Sequence, residues 1–76
     1  MNNLRRKKLR EIRQKLDEIQ SEIDMVRDDE QDSLDSMPEN LQCSIRADDI
    51  QDKIDMLDEI CDSVTEAIDG IDEVIS

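Results

Sequence analysis

The fold of this chain is decided by two stretches, LREIRQKLDEIQSEIDMV at positions 9–26 and IQDKIDMLDEICDSVTEAIDGIDEVI at positions 50–75. In both stretches aliphatic residues recur alternately three and four positions apart, which places them along one stripe of an α-helix. Each stripe occupies positions a and d of a seven-residue repeat abcdefg, a pattern typical of helices that pack along a seam. The sequence therefore predicts two long helices, each with one apolar stripe.

The two stripes match each other when the chain folds back near position 40. Each a residue then faces a d residue, as Leu9 faces Ile71 and Ile19 faces Cys61, and an antiparallel pair of helices requires this. Pro38 marks the bend, because the residue before a proline is displaced from helical conformation. We predict an all-α, coiled-coil-like antiparallel hairpin, a single domain over residues 1–76 with helices over about 3–36 and 44–75 and a bend over 37–43.

The ends of the predicted helices carry capping residues. Asn2 or Asn3 is suited to cap the first helix and Ser44 the second, since their side-chain oxygens accept hydrogen bonds from free backbone N–H groups. Pro38 also favours a short turn of helix over 38–42, because proline is tolerated at the first position of a helix.

The amino-acid composition predicts self-association. A core built by 76 residues without any aromatic side chain contributes only about 3–5 kcal/mol. The second helix also carries apolar residues at position g, so its stripe is wider than a two-helix seam needs. We expect a homodimer that forms a four-helix bundle, with a heteromer as the alternative; the predicted interface residues are Ile60, Ala67 and Val74.

Charge is distributed unevenly along the chain, whose formal net charge is −12. Residues 1–15 hold seven bases and one acid, whereas residues 44–76 hold two bases and eleven acids. In an antiparallel hairpin the basic start and the acidic end are neighbours, so ion pairs between them would fix the orientation of the helices. The bases expected to pair are Arg5, Arg6, Lys8 and Arg13, and the acids are Asp69, Asp72 and Glu73.

Catalytic chemistry has no visible basis in the sequence. The chain has no His, no Gly-rich phosphate loop and no Ser or Cys beside an evident base, so we expect no enzyme and no cofactor. The acidic run 28–35 lacks the glycine of a calcium loop, and a solvated face explains it better than a metal site. Cys43 and Cys61 lie about 27 Å apart in the hairpin, beyond disulfide reach. Free thiols and the absence of a long apolar run predict a cytoplasmic protein.

Two surfaces are candidates for binding. The second helix displays a row of acids, of which Asp55, Asp58, Asp62 and Glu66 are the predicted contacts to a protein partner. The alternative is a phosphate ligand, RNA or a cyclic nucleotide, bound by Arg5, Arg6, Lys7 and Lys8. That alternative ranks second, because no aromatic side chain is present to stack on bases.

The whole chain resembles a family of small acidic, mostly uncharacterised proteins of phages and prophages of Gram-positive gut bacteria. The resemblance is carried by the basic start at 2–8, the turn Met-Pro-Glu-Asn-Leu-Gln at 37–42 and the acid-rich repeat Ile-Asp-Met-Leu-Asp-Glu at 54–59. It implies a mobile-element accessory protein with no assigned activity. With the acidic row, it leads us to expect a protein-binding module that inhibits a host defence system in the bacterial cytoplasm.

Overall fold

The computed structural model describes residues 1–41, apart from the side chain of Leu41, and residues 44–76. Helix α1 spans Asn3–Asp35 and helix α2 spans Ile45–Ile75, with a 3₁₀ helix over Glu39–Leu41 between them. The helices pack against each other in a body 59 Å long and 14 by 12 Å across, which confirms the predicted all-α hairpin. Within the described ranges, no helix has an apolar stretch long enough to cross a membrane.

Both helices begin at the capping residues that the sequence indicates. The side chain of Asn2 accepts a hydrogen bond of 2.9 Å from the backbone N–H of Arg5, so Asn2 rather than Asn3 is the cap of α1. The Ser44 hydroxyl accepts one of 3.2 Å from the backbone N–H of Ala47. Caps of this kind each contribute about 1 kcal/mol.

The bend begins where α1 ends. The backbone N–H of Ser36 still donates to the carbonyl of Asp32 at 2.9 Å, and Pro38 follows before the 3₁₀ helix. Gln42 and Cys43 lie outside the described residues, and so does the part of the predicted bend that they form. Cys61, which does lie within the described residues, carries a free thiol.

The seam between the helices is closed on one side and open on the other. The buried side chains Ala47, Ile54 and Ile68 all occupy position a of α2. At position d of α1, by contrast, Ile19 is 44% exposed and Val26 is 52% exposed. On a helix, position a lies beside position e, and position d lies beside position g. The burial at a and the exposure at d therefore show that the seam is covered on the side of the e positions and uncovered on the side of the g positions.

The vertical alignment of the two helices is shown by one side chain. The Nε2 atom of Gln20 donates to the backbone carbonyl of Cys61 at 3.2 Å and also to the hydroxyl of Thr65. Gln20 therefore faces the turn of α2 between these two residues. This agrees to within about one helical turn with the predicted alignment of Ile19 with Cys61.

Candidate protein-binding surfaces

The covered side of the seam carries a ladder of polar pairs, which we call the polar edge. Its rungs join residues at position e of the two helices, and successive rungs are seven residues apart in both. Arg13 donates to Asp72 at 2.6 Å and Arg27 donates to Asp58 at 2.9 Å. Between these two ion pairs lies the uncharged rung formed by Gln20 and Thr65.

Both arginines of the polar edge are held by carboxylates. The hydrogen bond to Asp72 and the charge of that residue raise the pKa of Arg13. The hydrogen bond to Asp58 and its charge raise the pKa of Arg27 in the same way. These pairs are partly exposed, so they matter more for the choice of orientation than for the total free energy of folding.

Most of the ladder was missed in the sequence analysis. Of the pairs expected between the basic start and the acidic end, only Arg13 with Asp72 forms within the described residues. Lys8 lies 4.0 Å from Glu11 of its own helix instead. The seven-residue spacing of Arg13, Gln20 and Arg27 was the available signal, because position e borders the seam.

The uncovered side of the seam is mainly apolar, and we call it the apolar edge. On α2 it consists of successive c and g positions, none of which is ionisable: Met56, Ile60, Ser63, Ala67, Gly70 and Val74. Met56 is 60% exposed, Ile60 46% and Val74 53%. The predicted interface residues Ile60, Ala67 and Val74 thus all lie on this edge and are exposed.

An open groove runs along one end of the apolar edge. Its walls come from both helices, which shows that the exposed Val26 of α1 and the c and g residues of α2 share one surface. The lining residues are Val26, Glu30, Lys53, Met56, Leu57 and Ile60.

From Asp55 onward, the acids at positions b and f of α2 form a separate stripe, the acidic face: Asp55, Glu59, Asp62, Glu66, Asp69 and Glu73. All six are exposed, and none makes an ion pair within the described residues. Three of the four predicted partner contacts, Asp55, Asp62 and Glu66, belong to this stripe. The fourth, Asp58, lies on the polar edge, where Arg27 holds it.

The basic start of α1 does not converge on one point. Successive residues of a helix point about 100° apart, so Arg5, Arg6, Lys7 and Lys8 surround the helix rather than share a face. A shallow depression is lined by Arg5, Lys7 and Lys8 together with Leu4 and Glu11. Arg6 points elsewhere, and its Nε atom is buried without a hydrogen-bond partner in the described part of the chain.

The thiol of Cys61 is held in its protonated form. Cys61 is half-buried in the seam, and its Sγ donates to Oδ1 of Asp24 at 3.1 Å. Burial, followed by the hydrogen bond to Asp24, raises the pKa of Cys61 from 9.0 to about 11. At neutral pH this cysteine is therefore a packing residue and not a nucleophile.

The structure defines the chain as an antiparallel helical hairpin with three distinct long surfaces. Comparison of the chain with protein-family models, with curated proteins and with solved structures finds no match. The features from which a function can be inferred are therefore the polar edge, the apolar edge, the acidic face and the basic start.

Proposed function

We propose that this chain is a non-enzymatic protein-binding module that uses its acidic face to occupy a basic groove of a partner protein. The observation that carries the proposal is that the arginines facing α2 are already engaged. Arg13 and Arg27 bind acids of the polar edge, and the six carboxylates of the acidic face make no ion pair within the described residues. These carboxylates are thus available to an external cation.

The spacing of the acidic face indicates the kind of groove that would accept it. Asp55 and Glu73 are separated by about 27 Å of helix, so the face presents roughly one charge per 5 Å. A nucleic acid strand carries one charge per about 3.4 Å of its axis. A groove built to neutralise phosphates therefore matches the acidic face in sign and approximately in charge spacing.

The resemblance to small acidic phage proteins extends the proposal to a mobile-element accessory role in the bacterial cytoplasm. A protein that holds nucleic acid neutralises phosphates with Lys and Arg, so a host defence protein of this kind would present a basic groove. We therefore propose that the module inhibits a host defence system by blocking such a groove, with a protein of the phage itself as the other candidate partner.

Partner capture from host lysate tests the acidic face. The variant Asp55→Asn, Asp62→Asn, Glu66→Gln removes three charges that make no ion pair within the described residues. This variant should still fold as a hairpin but should not capture the protein that the native chain captures. The matched control Glu18→Gln, Asp32→Asn, Glu39→Gln removes three exposed charges outside α2 and should capture normally. Equal capture by all three proteins would reject the proposal, and equal loss in both variants would show that only net charge matters.

A phosphate ligand at the basic start is the second candidate function. The observation in its favour is that Arg5 and Lys7 make no ion pair within the described residues, contrary to the neutralisation expected for this end. Titration with RNA and with cyclic nucleotides at low salt tests it. Binding that weakens as salt rises, and that is lost in Arg5→Gln, Lys7→Gln, would support this function. No binding at low salt would reject it.

A further inference from the structure

We infer that the apolar edge is covered by a second copy of this chain, which lies antiparallel to the first about a two-fold axis perpendicular to the helices. The axis passes α1 midway between Lys15 and Glu22 and passes α2 beside Ser63. In this arrangement α1 faces α1 of the second copy, and α2 faces α2. The inference concerns a surface other than the acidic face and therefore extends beyond the proposed function.

The apolar edge is exposed and extends along the hairpin. Ile19, Val26, Ile60 and Val74 are each 44–53% exposed on a body 59 Å long and 12–14 Å wide. A face of that length and width has about 800 Å² to offer, which is the area that each partner contributes to a standard stable interface. The apolar edge together with the charged row beside it on α1 therefore offers enough area for a stable dimer.

Helix α1 carries a row of charges that is complementary to an antiparallel copy of itself. The g positions beside the apolar edge are occupied by Lys8, Lys15, Glu22 and Asp29, two bases followed by two acids at seven-residue intervals. All four side chains are exposed. When two such rows run antiparallel, each Lys8 faces Asp29 of the second copy and each Lys15 faces Glu22. Flanking charges of this kind select partner and orientation in helical assemblies.

Helix α2 independently indicates nearly the same position for the two-fold axis. Gln20 contacts Cys61 and Thr65, so the midpoint of the α1 charge row is level with the turn of α2 that follows Ser63. An axis at that level brings Ile60 of one copy against Ala67 of the other. Met56 then lies opposite Gly70, and Val74 lies opposite Lys53 of the second copy. No carboxylate is buried between the two α2 helices.

The charge distribution of the whole chain favours this orientation over a parallel one. A parallel pair would place the two basic starts side by side, each with seven bases and one acid in residues 1–15. The antiparallel pair moves them to opposite ends of the 59 Å body. Each basic start then lies beside the acidic bend end of the other copy.

Charge exchange on α1 tests both the dimer and its orientation. The native chain should have twice its 8.9 kDa mass in sedimentation equilibrium. The variant K8E/K15E makes the row entirely acidic, and the variant E22K/D29K makes it entirely basic. Each variant alone should be a monomer because the row would repel its own copy, whereas an equimolar mixture should form a heterodimer. Circular dichroism of each variant should show unchanged helix content, because all four positions are exposed.

The possible outcomes separate this inference from the proposed function. A native monomer, or an assembly larger than two, would overturn the closed pair. Variants that still form homodimers would overturn the antiparallel orientation. The acidic-face variant Asp55→Asn, Asp62→Asn, Glu66→Gln should remain dimeric, so loss of partner capture and loss of the dimer are measured independently.

Discussion

Arg13 and Asp72 lie 59 positions apart in the chain and are joined by a hydrogen bond of 2.6 Å between Nε and Oδ1. The same guanidinium donates from Nη1 to Asp17 at 2.8 Å, within its own helix. Arg13 is therefore fixed on α1 by one carboxylate and reaches the end of α2 through another. The pair therefore lies where the start of α1 meets the end of α2.

Exchanging the two charges should show that this pair is energetically coupled. Arg13→Asp and Asp72→Arg should each lower the urea midpoint of unfolding, because each places like charges together at the polar edge. The double variant should recover part of the loss. The coupling should be small and should fall in 1 M salt, since the pair is partly exposed. Strictly additive effects would contradict the pair seen in the structure.

The largest loss of stability should come from Ile54, which is 1% exposed. Ile54→Ala should lower the free energy of unfolding by about 2–5 kcal/mol, because it removes buried methyl groups and leaves a cavity. The control Ile45→Ala changes a residue that is 88% exposed. It should change the free energy of unfolding by no more than about 0.5 kcal/mol. Denaturant unfolding measures both, and similar effects would contradict the assigned core.

Gly70 should be replaceable with a gain in stability of the hairpin. A Cβ added there meets nothing within 4 Å, and its φ is not positive. Gly70→Ala should therefore raise the free energy of unfolding by about 0.5–1 kcal/mol through helix propensity. The measurement is best made in the K8E/K15E background, where we expect a monomer. A loss there would show that the hairpin itself needs glycine at this position.

The thiol of Cys61 should make stability fall at alkaline pH. Its pKa is about 11 in the folded chain against 9.0 ordinarily, so the unfolded chain releases this proton first as pH rises. The protonated Cys61 thiol contributes fully to the free energy of unfolding below pH 9. This contribution is lost between pH 9 and about 11. The difference in melting temperature between the native chain and Cys61→Ala should narrow over that window. A constant difference would contradict the raised pKa.

The backbone architecture could be predicted from local sequence features. The three-four spacing of aliphatic residues gave both helices, Pro38 gave the bend, and Asn2 and Ser44 gave the caps. Each of these signals acts through neighbouring residues, so no long-range information is needed to interpret it.

The polar contacts between the helices were predicted less well, because they depend on which side of the seam closes. Arg5, Lys8 and Arg13 have equal charge, and only position relative to the seam distinguishes them. Arg13 lies at position e beside the covered side, whereas Lys8 lies at position g beside the uncovered side. The sequence showed a wide stripe on α2, but the exposure of Val26 on α1 emerged only from the packed structure.

The order of rungs along the polar edge disfavours a shift of one helix along the other. A uniform aliphatic seam tolerates a shift by a whole heptad, because every a and d residue meets another of similar size. A shift in one direction places Arg13 opposite Thr65 and Arg27 opposite Gln51. A shift in the other places Arg27 opposite Thr65 and leaves Arg13 with no residue of α2 opposite. Gln20 faces an aspartate in both cases, so both ion pairs break together. The order of rungs along the polar edge, charged then neutral then charged, therefore favours the native alignment over alignments shifted by one heptad.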